Sequence, residues 1–285
     1  MSSDIEPQSA IAAIGLCDDT KAFVYIRLPN DTTAVSGRVR GPFSAFATTL
    51  PGNFPLALVP GRDGPLAGAW VTDPCAWSPE QPLLYRVEYV LERRGHPAQH
   101  YAGEVAIRRL APRGKHLFFS GKRWVLRAVD AQRWPGEVEN WKDQASGVVV
   151  SRIDAEQAQA AATHGLVLVR RIADWSDPEL DTLAACTAVC IALIECEPPI
   201  DVATRWPNIL RAQQLRITDD LQPWAQLAWV SSDDTEVVRQ ANLRLEVPIV
   251  VERSPTGSSL GEARSLIDQL QADLAPIGQF AGYVV

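Results

Sequence analysis

Between Trp124 and Val285 the chain carries eight short runs that are apolar nearly throughout: WVLRAV (124–129), GVVVSRI (147–153), GLVLVRRI (165–172), VCIALIEC (189–196), AQQLRIT (212–218), AQLAWVSS (225–232), PIVVERS (248–254) and FAGYVV (280–285). A strand with one face in water alternates apolar and polar residues. A strand apolar at every position is covered on both faces, as in a parallel sheet flanked by helices. Amphipathic stretches lie between the runs, among them DAEQAQAAATH (154–164), DPELDTLAACTA (177–188) and SLGEARSLIDQLQADLAP (259–276). Asp154, Asp177 and Ser258 or Ser259 are placed to cap them. Eight strand–helix repeats predict a (β/α)8 barrel, with a repeat of roughly 20 residues against ~30 in the usual form. Some helices are therefore expected to be one or two turns or missing, and ITDDLQPWAQL (217–227) leaves little room for one. The rival, an open doubly wound sheet, calls for a Gly-rich phosphate loop after its first strand, and RAVDAQRWPG has none.

The chain before this region has a different period. AFVYIRL (22–28), AVSGRVRG (34–41), FSAFATTL (43–50) and FPLALVP (54–60) are separated by Asn-Asp, Gly-Pro and Pro-Gly signals. LLYRVEYVLERRG (83–95) and AQHYAGEVAIRRL (98–110) form a long pair around Gly95, His96 and Pro97. Strands at this spacing, with turn residues between them and almost no helical period, predict an immunoglobulin-like β-sandwich. The expected organisation is thus multidomain, β and then α/β: an N-terminal segment over 1–20, the sandwich over 21–120 and the compact barrel over 121–285.

Composition narrows the chemistry. The net charge is −7 with a pI near 5.2, and no Lys/Arg cluster appears, which argues against a nucleic-acid partner. No apolar run is long enough to span a bilayer, so no membrane partner is expected. Asp4 and Glu6 stand where a signal peptide needs basic residues, and a cytoplasmic location is the expectation. The five cysteines, Cys17, Cys75, Cys186, Cys190 and Cys196, contain no Cys-x-x-Cys, and there are four histidines without a His-rich motif. Neither a metal site nor a cofactor is expected.

One junction is more specific. DPCAWSPEQPLLYRVEYVLERRG (73–95) followed by EVAIRRLAPRGKHLFFSGKRWVLRAV (104–129) resembles glycoside hydrolase family 2, the β-galactosidase and β-glucuronidase group. That family carries a Trp-Ser-Pro-Glu-x-Pro-x-Leu-Tyr segment, here Trp77 to Tyr85. A Gly-Ile-Arg-like strand is matched by Ala106, Ile107 and Arg108. Its Asn-Gly-Lys-Pro lead into a Leu-Arg-Gly-Val first barrel strand is matched by Ser120 to Arg123 and then Leu126 to Val129. The match covers about 55 residues. Gly121 is expected in a turn between Phe119 and Trp124. The resemblance implies that the family's N-terminal jelly-roll domain is absent.

The resemblance also implies where chemistry would sit. Retaining glycosidases use two carboxylates about 5 Å apart, one an acid/base and one a nucleophile. In the family these end barrel strands four and seven. Laid over AVCIALIECEP, the family's Trp-Ser-x-Gly-Asn-Glu puts the acid on Glu197, with Cys196 at the Asn, Glu195 at the Gly and Ala192 at the Trp. The seventh-strand pattern Pro-x-x-x-Thr-Glu falls on Pro248 to Arg253, so strict spacing puts Arg253 at the nucleophile position and Glu252 one residue early. One step along a strand reverses a side chain's face.

These departures lead to the expectation of a degenerate site. Strand ends supply Arg152, Arg170, Arg171, Arg216 and Arg253 interleaved with Asp130, Asp154, Glu195, Glu197, Asp219, Asp233 and Glu252, a set able to fill the mouth with ion pairs. Two arrangements are open to Glu252 and Arg253. If Glu252 points inward, Arg170, Arg171 or Arg216 must relieve it. If Arg253 points inward, it pairs with Glu197 or Glu195, and this second arrangement is the one the family spacing favours. Trp134 and Trp175, each following a barrel strand, are the tryptophans best placed for exposure, although packing is the favoured role even for them; with Glu195 and Arg253 they are the candidate substrate-binding residues. The hydroxyls of SPTGSS (254–259), centred on Thr256, have no sequence-adjacent His to serve as base. The reading is a glycosidase-like protein, catalytically degenerate, with a carbohydrate-binding or scaffold role. Its candidate partners are a carbohydrate, another protein or a second copy of the chain. The alternative is an active retaining β-glycosidase with Glu197 as acid/base and Glu252 as nucleophile.

Overall fold

A computed structural model describes residues 8–9, 12–61, 64–176, 180, 183, 186–199, 208–216, 219–254 and 259–285. The chain divides into two compact units, Met1–Trp77 with Gln81–Arg108, and Ser78–Glu80 with Arg109–Val285.

The first unit is built from β1 (Gln8–Ser9), β2 (Ala13–Cys17), β3 (Lys21–Arg27), β4 (Thr32–Phe43), β5 (Gly52–Gly61), β6 (Gly64–Thr72), β7 (Leu84–Arg93) and β8 (Gln99–Val105). They run in the order β1-β8-β7-β4-β5-β6-β3-β2, antiparallel except for the short β1–β8 pair. The two layers expected of a sandwich are one sheet curled on itself, and β5 makes the turn. Its first half pairs with β4 (Leu56 opposite Gly37) and its second half with β6 (Ala57 opposite Gly68). Alternation along the strands decides the interior. In β3, Ala22, Val24 and Ile26 are buried while their neighbours are half-buried or exposed. Val87, Tyr89 and Leu91 do the same in β7. Tyr85 is buried in this core, and its hydroxyl accepts a hydrogen bond from the Cys75 amide at 2.9 Å.

The second unit opens with a small antiparallel sheet, β9 (Leu110–Arg113), β10 (His116–Phe119) and β11 (Lys122–Trp124). Ser120 and Gly121 join β10 to β11 with φ of 47° and 79°. Positive φ at both central residues is what a tight hairpin turn requires. Gly121 is thus in a turn, and Lys122 and Arg123 beside it are exposed.

Eight parallel strands then close: β12 (Leu126–Asp130), β13 (Gly147–Val150), β14 (Val167–Ile172), β15 (Val189–Ile194), β16 (Leu210–Leu215), β17 (Leu227–Ser231), β18 (Ile249–Glu252) and β19 (Gly282–Val284), with β19 pairing back to β12. Each lies within or against one of the eight apolar runs. The floor of the barrel is filled by Leu126. A Cβ on Gly147 or Gly282 would come within 2.8 Å of that side chain, so these two strands can close around it only with glycine there.

Four helices of more than one turn are described: α1 (Val138–Gln144), α2 (Ala155–His164), α3 (Thr235–Arg244) and α4 (Ala263–Leu274). Asp154 caps α2 by accepting from the Gln157 amide at 2.7 Å, and Gly165 ends it at φ 72°. Helix α4 lays Ala263, Ile267, Leu270 and Leu274 inward, the spacing its sequence predicts. Ser259 precedes a short 3-10 turn over Leu260–Glu262 and makes no side-chain cap. Between β16 and β17 the described residues hold no helix, as the shortness of 217–227 implied. Most of the stretch 177–188, with its proposed cap Asp177, lies outside the described residues. Among the described residues no helix is long and apolar enough to cross a membrane.

Candidate active site

The C-terminal ends of the barrel strands gather one charged cluster. Such ends carry the chemistry of (β/α)8 barrels, because the βα loops meet there. β18 delivers Glu252, which is 3 % exposed. Its Oε2 accepts from Trp229 Nε1 at 2.8 Å and from Ser231 Oγ at 2.6 Å, both on β17. Its Oε1 meets Arg171 Nη2 of β14 at 3.2 Å and Arg133 Nη2 at 3.6 Å. Ser231 Oγ in turn accepts from Gln214 Nε2 at 2.9 Å.

Arg171 is the hub. Its Nη1 reaches Glu195 Oε1 at 2.6 Å, and its Nη2 reaches Asp130 Oδ2 and Glu252 Oε1, each at 3.2 Å. Asp130, 4 % exposed at the end of β12, also accepts from the Gln132 amide at 2.9 Å. Gln132 Nε2 donates to Ser151 Oγ. Two guanidiniums therefore face three carboxylates at the ends of three strands.

The electrostatics follow from this packing. Burial alone would raise the Glu252 carboxyl. The Ser231 and Trp229 hydrogen bonds and the charges of Arg171 and Arg133 outweigh it and hold the group below the usual glutamate range. Burial opposes the charged form of Arg171, and Glu252, Glu195 and Asp130 reverse that and raise its pKa. Both groups are held as ions.

The sequence-predicted residues do not all meet here. Glu252 and Glu195 do, linked through Arg171. Glu197 is exposed and has no hydrogen bond or ion pair among the described residues. Cys196, at the position of the family's Asn, is half-buried with Sγ 3.8 Å from the Ile172 carbonyl, and burial raises its thiol pKa. Arg253 corrects the favoured arrangement. It does not enter the mouth to meet Glu197 or Glu195, and its Nη1 pairs with Asp273 Oδ2 of α4 at 2.9 Å. The inward position belongs to Glu252, and Arg171 supplies the relief. Trp134 packs, the role favoured for it, and is corrected only as a substrate-binding candidate: it is 5 % exposed, and its carbonyl accepts from Trp141 Nε1 at 2.9 Å. Trp175 is half-buried. Thr256 and residues 255–258 lie outside the described residues.

Sequence reasoning missed Trp229, Ser231, Gln214 and Arg133 as members of the cluster. Register would have found the first two. Ser231 is the direct partner of Glu252 and Trp229 of Val250, so alternate β17 residues share the face of Glu252. The described residues contain no group of three or more His, Cys, Asp or Glu able to hold a metal ion.

No family profile matches the chain, and no curated protein matches it by sequence. Solved structures match its fold. A β-D-glucuronidase from Dictyoglomus thermophilum superposes with a TM-score of 0.63 at 12 % identity, over 98 % of this chain and 61 % of its own. A β-glucuronidase from Bacteroides uniformis gives 0.64 at 12 %, over 97 % and 45 %. A glycosyl hydrolase family 2 member from Bacteroides cellulosilyticus gives 0.61 at 12 %, over 97 % and 43 %. The chain has the fold of these family 2 glycosidases, an immunoglobulin-like β unit and a (β/α)8 barrel. It spans about half the length of the structures it matches.

Proposed function

We propose that this is a glycosidase-fold protein that does not hydrolyse glycosides and acts by binding, with carbohydrate as the ligand class. The observation that carries the reading is the state of Glu252. A glycosidase nucleophile must present a free oxygen to an anomeric carbon. Here both oxygens are taken by donors, and the residue is almost wholly buried. The acid/base must face the nucleophile across the glycosidic bond. Glu197, the residue the family pattern nominates, is exposed to water and makes no hydrogen bond or ion pair with the Glu252 cluster among the described residues. Turnover of aryl β-glycosides, β-glucuronides and β-galactosides included, is expected at background. Turnover of about 1 s⁻¹ or more, lost in both Glu252→Gln and Glu197→Gln, would overturn the reading.

One observation favours a second reading, an active retaining β-glycosidase. Glu252 points into the mouth and is held ionised, as a nucleophile must be. That reading requires Arg171 and Arg133 to release it when a sugar binds. The same assay separates the two.

A further inference from the structure

The outward faces of the β unit are dressed in two different ways. On β4, β7 and β8 the outward positions are charged, and the charges answer one another across strands. Arg38 Nη2 meets Glu88 Oε2 at 2.8 Å, and Arg86 Nε meets Glu104 Oε1 at 3.4 Å. This is the ordinary pattern of an antiparallel sheet with one face in water. Strands β3, β6 and β5 carry charge at two positions only, Lys21 and Arg27, the first and last residues of β3. Between them β3 is apolar on both faces, Phe23 and Tyr25 outward and Ala22, Val24 and Ile26 in the core. Trp70 of β6, 45 % exposed, stands opposite Phe23 in register, and Leu66 stands opposite Val59 of β5. The edge strand β2, AIGLC, is also uncharged and leaves Leu16 77 % exposed. Edge strands that stay in water are commonly protected by charge. An apolar patch that spans several strands marks a surface that something covers.

The two ends of this face have opposite sign. At the turn before β3, Asp18 and Asp19 are exposed. Asp73 is held beside them, its amide donating to the Thr20 carbonyl at 2.8 Å. Lys21 alone stands against these three carboxylates, and its Nζ lies 5.1 Å from the Trp70 ring. At the far end Arg27 is exposed, with no ion pair among the described residues. Six residues of strand separate the ends, about 20 Å. A two-fold axis lying in the plane of the face and across β3 lays the acidic end of one copy on Arg27 of the other, and does so twice. Self-complementarity of this kind is what an isologous contact requires.

We propose that this face docks a second copy of the chain, with the two β3 strands antiparallel, Trp70, Phe23 and Tyr25 at the centre, and Arg27 of each copy against the acidic turn of the other. Four strands about 4.8 Å apart and about 20 Å long present roughly 400 Å² per copy, about half of what a stable complex uses. The dimer is therefore weak and reversible, with a dissociation constant on the order of 100 μM.

The test is sedimentation velocity of the full chain from about 5 to 500 μM, a range that brackets such a constant. A monomer–dimer equilibrium is expected. Trp70→Asp should abolish the dimer over the whole range. Arg27→Glu should weaken association about tenfold. Arg27→Glu combined with Asp19→Lys should restore it, because the two-fold brings the exchanged charges together again. Circular dichroism of each variant checks the fold, and the exposed Arg27 and Asp19 test the contact even where Trp70→Asp disturbs the sheet. A monomer at every concentration would overturn the proposal. So would a dimer that Trp70→Asp leaves intact, or one whose loss in Arg27→Glu the exchanged pair does not restore.

Discussion

Arg171 answers three carboxylates with one guanidinium, and its own half-burial makes that arrangement expensive to disturb. Arg171→Met would leave Glu252 and Asp130 buried with Arg133 as the remaining cation. A loss of about 3 kcal/mol is expected from urea unfolding, the size seen when one partner of a buried pair is removed. Glu252 gives a pH signature. Its folded pKa lies below its unfolded value, so its stabilisation is complete above about pH 4.3 and is lost as the pH falls through the lower folded value. The urea midpoint should therefore fall on the acid side, and Glu252→Gln, which keeps an acceptor for Trp229 and Ser231, should flatten that limb. An equally steep limb in the variant would assign the acid sensitivity elsewhere. Arg253→Ala removes a pair with Asp273, which is 39 % exposed, and a loss under about 1 kcal/mol is expected.

At the scale of elements, helix α2 is defined at both ends. Asp154→Ala removes its cap, worth about 1 kcal/mol. Gly165→Ala should cost about 2 kcal/mol or more, because its φ of 72° is left-handed and a Cβ would sit 2.5 Å from the Pro79 carbonyl oxygen. Thermal unfolding of both variants checks the order. The strands were legible because eight runs without polar interruption have few alternatives, and each of those runs holds or borders a barrel strand. Helices α1 and α3 were not legible. They bury two residues, Val138 and Trp141, and one, Val238, so they show no apolar stripe. The site was legible in its residue types and not in their directions. All four residues of β18 are buried, so the sequence shows no alternation from which to tell the face of Glu252 from that of Arg253. Family spacing chose Arg253, and pairing of β18 with β17 chose Glu252. The same ambiguity covered Arg170 and Arg171 on β14: Arg171 reaches Glu252, while Arg170 donates to the Arg171 carbonyl.

For the whole molecule, closure depends on β19, which pairs with β12 on one side and β18 on the other. Removing residues 282–285 leaves two strands without a partner in the middle of a hydrophobic wall. Hydrogen exchange read by mass spectrometry is expected to show lost protection in β12 and β18 and retained protection in β3 and β6, which belong to a unit with its own core. Loss throughout would mean that the two units unfold together. The mouth, finally, has a consequence for how this chain can change over generations or in the hands of an engineer. Freeing Glu252 by altering Arg171 alone also strands Asp130 and Glu195, so the first step toward an open cleft goes downhill in fitness or yield. Substitutions that share a partner in this way are not additive. A library of single changes should find no route to an open site here, and one that varies Arg171, Asp130 and Glu195 together should.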